Sequence, residues 1–293
     1  MNGGFSGRTI DTKFITPTLS ELEYPSMKES GWLTRSIEQP HPFDKNFPGN
    51  IRTGKKIFLN LVHYIEEGKF SEDIVLSILG YLKEIKENNK IELVPLENPE
   101  NITIKNVTDG LDRLINTKYK SSGGSKFPVL IFYSILQVFC KELGRYQDSY
   151  LNVLGSHLSP DSRSGSSGDI EIIKKEDLFE SYEIKLDVVI TNHIINRVKE
   201  KIFKHNPERY YIISSKVDQN QKYNIEENIL NIQKQHGCQI FIEDPLKLIK
   251  RYIRVITNVD NFINILGEKI ISDNELKIEH KETWKKIYEG LGK

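Results

Sequence analysis

The 293-residue sequence has few cysteines, no net charge and no long apolar segment. Its two cysteines, Cys140 and Cys238, have no paired spacing, which argues against a disulfide framework or a structural zinc site and favours a reducing compartment. Acidic and basic residues number 41 each, so the net charge of zero does not indicate nucleic acid as a partner. Any specific partner must therefore be recognised at a local site.

Segments that would direct the chain into a membrane are also missing. Residues 1–13 lack the apolar core of a signal peptide. The longest apolar run, Val129–Phe139, is too short to span a bilayer and is interrupted by polar residues. We expect this run to form a buried helix, and we expect a cytoplasmic protein with no membrane partner.

Several enzyme classes lack their usual sequence signatures here. The chain has no Walker A motif, no G-x-S-x-G, no G-x-G-x-x-G and no H-E-x-x-H, and its seven histidines are scattered. The NTPase, dinucleotide-dependent, serine hydrolase and zinc protease classes therefore have no support.

Changes of pattern along the chain predict two regions. Residues 1–120 combine an irregular arm, rich in proline, glycine and aromatic residues, with helical segments. Residues 121–293 begin with a Ser/Gly-rich stretch, 121–126, that predicts a hinge or flexible link, and then alternate strands with helices. The expected fold class is α/β (α+β), with a mixed central β-sheet flanked by helices.

The most informative stretch is SGDIEIIKKEDLFESYEIKLD, residues 167–187. Its alternation predicts two antiparallel strands joined by a turn within residues 174–178. One face of this hairpin is then apolar and the other is charged. The apolar face holds Ile170, Ile172, Tyr182, Ile184 and Leu186, and the charged face holds Asp169, Glu171, Glu183, Lys185 and Asp187.

In this register Asp169 lies opposite Glu183, with their β-carbons about 5 Å apart. Two carboxylates at that separation are unfavourable unless a cation joins them, and Mg²⁺ fits because it binds oxygen ligands and often only one or two carboxylates. The Ile184 backbone carbonyl is placed to join them, and Lys185 is placed to stabilise charge on a water or phosphate. We therefore expect Asp169, Glu183 and Lys185 to be catalytic, with Glu171 as a further candidate metal ligand.

The pair G-D at residues 168–169 and E-I-K at residues 183–185 resembles the PD-(D/E)xK nuclease motif, with glycine in place of the usual proline. The order of elements around it resembles the αβββαβ core of that superfamily, so the resemblance implies a restriction-endonuclease-like core over residues 121–293. Glu142, near the end of the preceding helix, is a candidate accessory ligand.

A second resemblance lies in Thr16–Ile51, which contains GWLTRSIEQPHP and is similar to the N-terminal segment of SacI-type type II restriction endonucleases. This resemblance implies a Mg²⁺-dependent homodimer that cuts double-stranded DNA at a short palindrome and is paired with a cognate DNA methyltransferase. Carried over to this chain, it makes Asp169 and Glu183 the metal ligands and Lys185 the catalytic lysine.

Two segments are candidates for DNA contact. Arginine and glutamine commonly read base edges, which points to Arg35 and Gln39 in the N-terminal region. The Ser/Gly-rich segment before Asp169 offers a cation and unhindered backbone N–H groups to phosphate. Its candidate residues are Arg163, Ser164 and Ser166. The alternatives are an arm locked to the protein body by ion pairs, and a linker with no role in binding.

Two other functions are compatible with the same residues. The core also suits a structure-selective DNA repair or recombination nuclease, because a fold does not fix a function. A catalytically silent DNA- or protein-binding module would instead carry the charged hairpin only as solvated surface.

Overall fold

The computed structural model describes residues 7–22, 24, 45–46, 54–69, 72–88, 90–96, 98–154, 165–273 and 275–291. The chain divides into two compact units, Met1–Lys90 and Ile91–Lys293. The second unit begins well before the boundary expected at residue 121. The reason is that the helix over residues 104–116 contributes Val107, Leu111 and Leu114 to its core.

The regular elements described in the first unit are helices, whereas the second unit combines helices with strands. The first unit contains α1 (Gly7–Ile10), a π-helical segment (Asp11–Ile15), α2 (Thr16–Glu21), α3 (Lys55–Glu66) and α4 (Glu72–Asn88). The helices of the second unit are α5 (Ile104–Asn116), α6 (Phe127–Glu142), α7 (Asn192–His205), α8 (Lys222–His236), α9 (Pro245–Ile253), α10 (Val259–Ser272) and α11 (Ile278–Tyr288). Its strands are β1 (Ser149–Leu151), β2 (Ile170–Lys174), β3 (Asp177–Ile184), β4 (Arg209–Ile213) and β5 (Gln239–Glu243).

Local sequence explains several helix limits. Helix α8 ends at His236, and the Gly237 that caps it adopts a left-handed φ of 91°, a conformation that glycine takes without a steric cost. Helix α9 begins with Pro245 at its first position, and the preceding Asp244 side chain accepts a hydrogen bond from the Lys247 backbone N–H at 2.9 Å.

The strands form one mixed sheet in the order β1-β2-β3-β4-β5 within the described residues. Strands β1, β2 and β3 pair antiparallel, whereas β3, β4 and β5 pair parallel through the crossover helices α7 and α8. Helices cover both faces, so the predicted mixed sheet flanked by helices is confirmed.

The predicted hairpin is formed by β2 and β3. Ile170 pairs with Tyr182, and Lys174 pairs with Asp177. The two-residue turn consists of Lys175 and Glu176, with φ values of 50° and 69°. Two positive φ angles are typical of the type I′ turn, whose twist matches that of the strands. The predicted turn position is therefore confirmed, and a register shift between Ile172 and Ile173 adds a bulge.

Each face of the sheet has its own apolar core. The face that carries Ile170, Ile172 and Tyr182 packs against α5, α6, α9, α10 and α11. The opposite face carries Tyr210 and Ile212 and packs against α7 and α8. Because the sheet is covered on both sides, a charged side chain on either face requires a partner.

The apolar run Val129–Phe139 lies in α6 and is mostly buried, as expected. Neither α6 nor any other helix in the described ranges is long and apolar enough to cross a lipid bilayer.

The Ser/Gly-rich stretch 121–126 is tied to the protein body, contrary to the predicted hinge. The buried Lys126 ammonium lies 2.6 Å from the Asp273 carboxylate. The Glu279 carboxylate accepts hydrogen bonds from the Ser121 backbone N–H at 3.1 Å and from its hydroxyl at 2.8 Å. These long-range contacts immobilise a segment whose composition alone is typical of a linker.

Candidate active site

Asp169 and Glu183 both lie at the open end of the β2–β3 ladder, one residue beyond the pair formed by Ile170 and Tyr182. The Asp169 backbone N–H donates to the Tyr182 carbonyl at 2.8 Å, which continues the pairing one residue beyond β2. The Asp169 Oδ2 atom accepts a hydrogen bond from the Ile184 backbone N–H at 2.7 Å. This contact fixes the Asp169 carboxylate beside the backbone that flanks Glu183.

Gly168 allows the chain to approach β3 closely at this point. A β-carbon at residue 168 would lie 2.6 Å from both the Tyr182 carbonyl oxygen and the Ser181 hydroxyl oxygen. Real β-carbons do not tolerate such contacts, and one of these atoms belongs to the backbone of a paired strand. The proline common at this position in PD-(D/E)xK motifs would therefore require the strand or the loop to move.

Glu183 is buried, with 4% of its surface exposed, and its carboxylate contacts two ammonium groups. Lys185 Nζ lies 2.7 Å from Oε1, and Lys201 Nζ lies 2.7 Å from Oε2. Lys185 follows directly after β3, whereas Lys201 reaches the sheet from α7. These contacts compensate the cost of burying the carboxylate charge.

Tyr210 of β4 connects Glu183 to the loop before Asp169. Its hydroxyl lies 3.0 Å from Glu183 Oε2 and 2.8 Å from the Ser167 carbonyl oxygen, and it can donate its one proton to either. The buried hydroxyls of Ser167 and Ser181 have no hydrogen-bond partner within the described residues. The region around Glu183 therefore contains hydroxyl oxygens, those of Ser167 and Ser181, that could still form hydrogen bonds.

Glu171 supports the loop through both carboxylate oxygens. Oε1 accepts from the Ser167 backbone N–H at 2.6 Å, and Oε2 accepts from the Asn152 side-chain amide at 2.7 Å. Burial, followed by the charge of Lys204, lowers the pKa of His205, while the charge of Glu171 acts in the opposite direction. In this geometry Glu171 positions the loop that carries Ser167.

The remaining acidic candidates have other contacts. Asp187 is 95% exposed and lies 3.6 Å from the Lys216 ammonium. Glu142 ends α6, which packs on the opposite face of the sheet, and its carboxylate accepts the Thr257 backbone N–H at 2.7 Å. The structure therefore does not bring Asp187 or Glu142 to Glu183.

A second buried carboxylate, Glu180, lies on the other face of β3. Its Oε1 atom contacts the Arg145 guanidinium, and its Oε2 atom accepts hydrogen bonds from the hydroxyls of Tyr146 at 3.0 Å and Tyr182 at 2.9 Å. Burial, aided by the Glu180 charge, raises the pKa of Tyr146 above its ordinary value. This closed set of contacts is a structural network within the core.

The donor atoms at the Asp169 and Glu183 corner fit a hard divalent cation. The Ile184 N–H faces Asp169, and in a strand the carbonyl of the same residue faces the same neighbour, so the Ile184 carbonyl lies on the Asp169 side. Within the described residues, no group of three histidine, cysteine, aspartate or glutamate side chains is suited to a metal ion. A site here would use two carboxylates and one carbonyl, a set that Mg²⁺ accepts when waters complete its shell.

No protein-family model matches this chain, and no curated protein matches it. A functional proposal for this chain therefore depends on the geometry of the site.

The candidate DNA-binding residues Arg35, Gln39, Arg163 and Ser164 lie outside the described residues, and Ser166 is half-buried in the loop before Gly168.

The sequence did not predict the contacts that Lys201 and Tyr210 make with Glu183, which precedes them by 18 and 27 residues. A signal for each is present in the sequence. Lys201 adjoins the apolar stripe formed by Val198 and Ile202 on α7, which places it at the edge of the helix face that meets the sheet. Tyr210 is a tyrosine on a buried strand, and its hydroxyl requires a polar partner.

Proposed function

We propose that this chain is a type II restriction endonuclease, a Mg²⁺-dependent enzyme that hydrolyses phosphodiester bonds in double-stranded DNA at a short specific sequence. The observation that carries the proposal is the joint placement of Asp169, Glu183 and Lys185. A buried carboxylate contacts the lysine two residues later, and a second carboxylate is held beside it across the hairpin.

The arrangement of the sheet supports the same conclusion. An antiparallel β1-β2-β3 set precedes a helix and a parallel strand, with α6 packed against β1, and the acidic residues lie near the end of β3. This order is the one expected of a restriction-endonuclease-like core. Ligands of open α/β sheets commonly bind beyond the carboxyl ends of parallel strands, where Glu183 and Lys185 lie.

In this proposal Asp169, Glu183 and the Ile184 carbonyl hold Mg²⁺. When bound, the ion supplies a water of lowered pKa and polarises the scissile phosphate. Lys185 donates hydrogen bonds to the attacked phosphate and offsets the negative charge that develops there. The Ile184 N–H orients the Asp169 carboxylate, and Glu171 holds the Ser167 loop against β3.

The proposed function also implies partners. A palindromic site matches a homodimer with two-fold symmetry, and a cytoplasmic restriction enzyme requires a cognate DNA methyltransferase to protect its host. Contacts to bases and phosphates would come from the residues that the sequence indicates for DNA contact. The candidates are Arg35, Gln39, Arg163, Ser164 and Ser166.

Cleavage of plasmid DNA tests the function. We expect the wild-type protein to give discrete fragments with Mg²⁺ and none with EDTA, and we expect Glu183→Gln and Lys185→Met to cut at least about a hundredfold more slowly. The matched controls are Glu226→Gln and Lys222→Met, an exposed ion pair on α8.

Each outcome of this assay separates the alternatives. If a folded Glu183→Gln variant still cut DNA at the wild-type rate, Glu183 would not belong to the active site. Cleavage confined to junctions or flaps would identify a structure-selective nuclease, and intact DNA with folded wild-type protein would identify a silent binding module.

A further inference from the structure

Glu183 divides its contacts unequally between its two carboxylate oxygens. Oε2 contacts the Lys201 ammonium at 2.7 Å and the Tyr210 hydroxyl at 3.0 Å. Among the described residues, the contact of Oε1 is with the Lys185 ammonium, at 2.7 Å. Because each carboxylate oxygen offers about two acceptor positions, both positions of Oε2 are used, whereas Oε1 keeps one for a cation.

Tyr210 also holds the loop that leads into Asp169. Its hydroxyl lies 2.8 Å from the carbonyl oxygen of Ser167, which precedes Asp169 by two residues. The phenol carries one proton and lies between two acceptors, so it joins the Ser167 carbonyl to Glu183 Oε2 in a three-centre contact. Tyr210 is fully buried in β4, which pairs with β3, so close packing fixes the position of its hydroxyl.

We propose that Tyr210 is a positioning residue that fixes the separation of Asp169 and Glu183, with Oε1 as the oxygen of Glu183 available to a divalent cation. The Ile184 N–H already orients the Asp169 carboxylate, and the Tyr210 hydroxyl ties the Asp169 loop to Glu183. That the cation is Mg²⁺ rests on the nuclease function proposed above. A fixed separation favours Mg²⁺, which requires near-ideal octahedral geometry, over Ca²⁺, whose coordination is flexible.

Titration calorimetry of the full-length protein without DNA, with Mg²⁺ and separately with Ca²⁺, tests this proposal. Tyr210→Phe keeps the ring and removes the hydroxyl. We expect it to bind Mg²⁺ at least about tenfold more weakly than the wild type, because groups that hold a metal ligand in place commonly contribute this much affinity. Its Ca²⁺ affinity should fall less than about threefold, since the flexible coordination of Ca²⁺ tolerates a change in separation.

The matched control is Tyr146→Phe. The Tyr146 hydroxyl donates at 3.0 Å to Glu180, a buried carboxylate on the opposite face of β3. Each variant loses a buried hydroxyl hydrogen bond to a glutamate, so the two should lose similar stability in urea denaturation. Tyr146→Phe should keep the wild-type affinity for both ions. A merely structural role of Tyr210 predicts the same unchanged affinities for Tyr210→Phe.

Unchanged Mg²⁺ affinity of Tyr210→Phe overturns the proposal, and so does an equal loss of Mg²⁺ and Ca²⁺ affinity. Mg²⁺ binding that is undetectable in the wild type overturns it as well. Should Tyr210→Phe fail to fold, Tyr210→Met fills the space without a hydroxyl and gives the same test. Because the affinities are measured without DNA, a protein that shows the Tyr210 effect but cuts no plasmid would refute the nuclease function alone.

Discussion

Gly168 lies so close to β3 that the register of the site depends on its missing side chain. We expect Gly168→Ala to lower the free energy of unfolding by about 1–3 kcal/mol, because the new β-carbon would overlap the Tyr182 carbonyl and displace the loop. Urea denaturation measures this change. Gly144→Ala is the matched control, because no atom lies within 4 Å of its added β-carbon. Equal stability of the two alanine variants would contradict the packing described here.

At the scale of single residues, the part of the site that could be predicted is the part encoded by local alternation. Glu183 and Lys185 are in contact because strand side chains repeat every two residues, and the turn fixes the register that brings Asp169 to the same end of the hairpin. Lys201 and Tyr210 reach Glu183 from other elements of the sheet and its helical layer. Those contacts depend on how α7 and β4 pack, which a single sequence does not state.

The turn between β2 and β3 adopts a conformation that its residues tolerate poorly. Glu176 has a φ of 69°, a left-handed region in which a β-carbon is unfavourable. We expect Glu176→Gly to raise the free energy of unfolding by about 1 kcal/mol, measured by urea denaturation. Asp177→Gly, at the first residue of β3, serves as the control and should lower it. A loss of stability in Glu176→Gly would contradict the type I′ geometry.

Among the elements, those with a strong periodic pattern agree with prediction and those defined by distant contacts do not. Helix α6 is predicted by its long apolar run, and the β2–β3 hairpin is predicted by the alternation of apolar and charged residues. The stretch 121–126 was expected to be a hinge, because glycine and serine are common in linkers as well as in tightly packed loops. The ion pair between Lys126 and Asp273 identifies this stretch as a packed loop. Because the two residues are far apart in sequence, the pattern of the stretch alone does not predict the contact.

At the scale of the whole molecule, the described sheet lies between two apolar cores. The core on the Glu180 side contains several buried tyrosines, and their burial opposes ionisation of the phenol groups. Burial raises the pKa of Tyr119 to about 12 and raises the pKa values of Tyr182, Tyr211 and Tyr252 above their ordinary value. These tyrosines stabilise the fold below pH about 10, the value of the unfolded chain, and this stability is lost as the pH rises toward the folded values.

We therefore expect alkaline unfolding above pH about 10, in which phenolate absorbance from these tyrosines appears together with loss of the native circular dichroism. Parallel titrations at 295 nm and in the far ultraviolet measure the two signals. Complete tyrosine ionisation while the circular dichroism remains native would show that the tyrosines are not protected by burial.

The central claim is that a divalent cation joins Asp169 and Glu183. Anomalous diffraction from crystals soaked at high Mn²⁺ concentration tests it most directly, because Mn²⁺ accepts the same oxygen ligands as Mg²⁺. We predict an anomalous peak about 2.2 Å from a carboxylate oxygen of each residue, close to the Ile184 carbonyl. A Mn²⁺ peak elsewhere, with none between Asp169 and Glu183, would contradict the account.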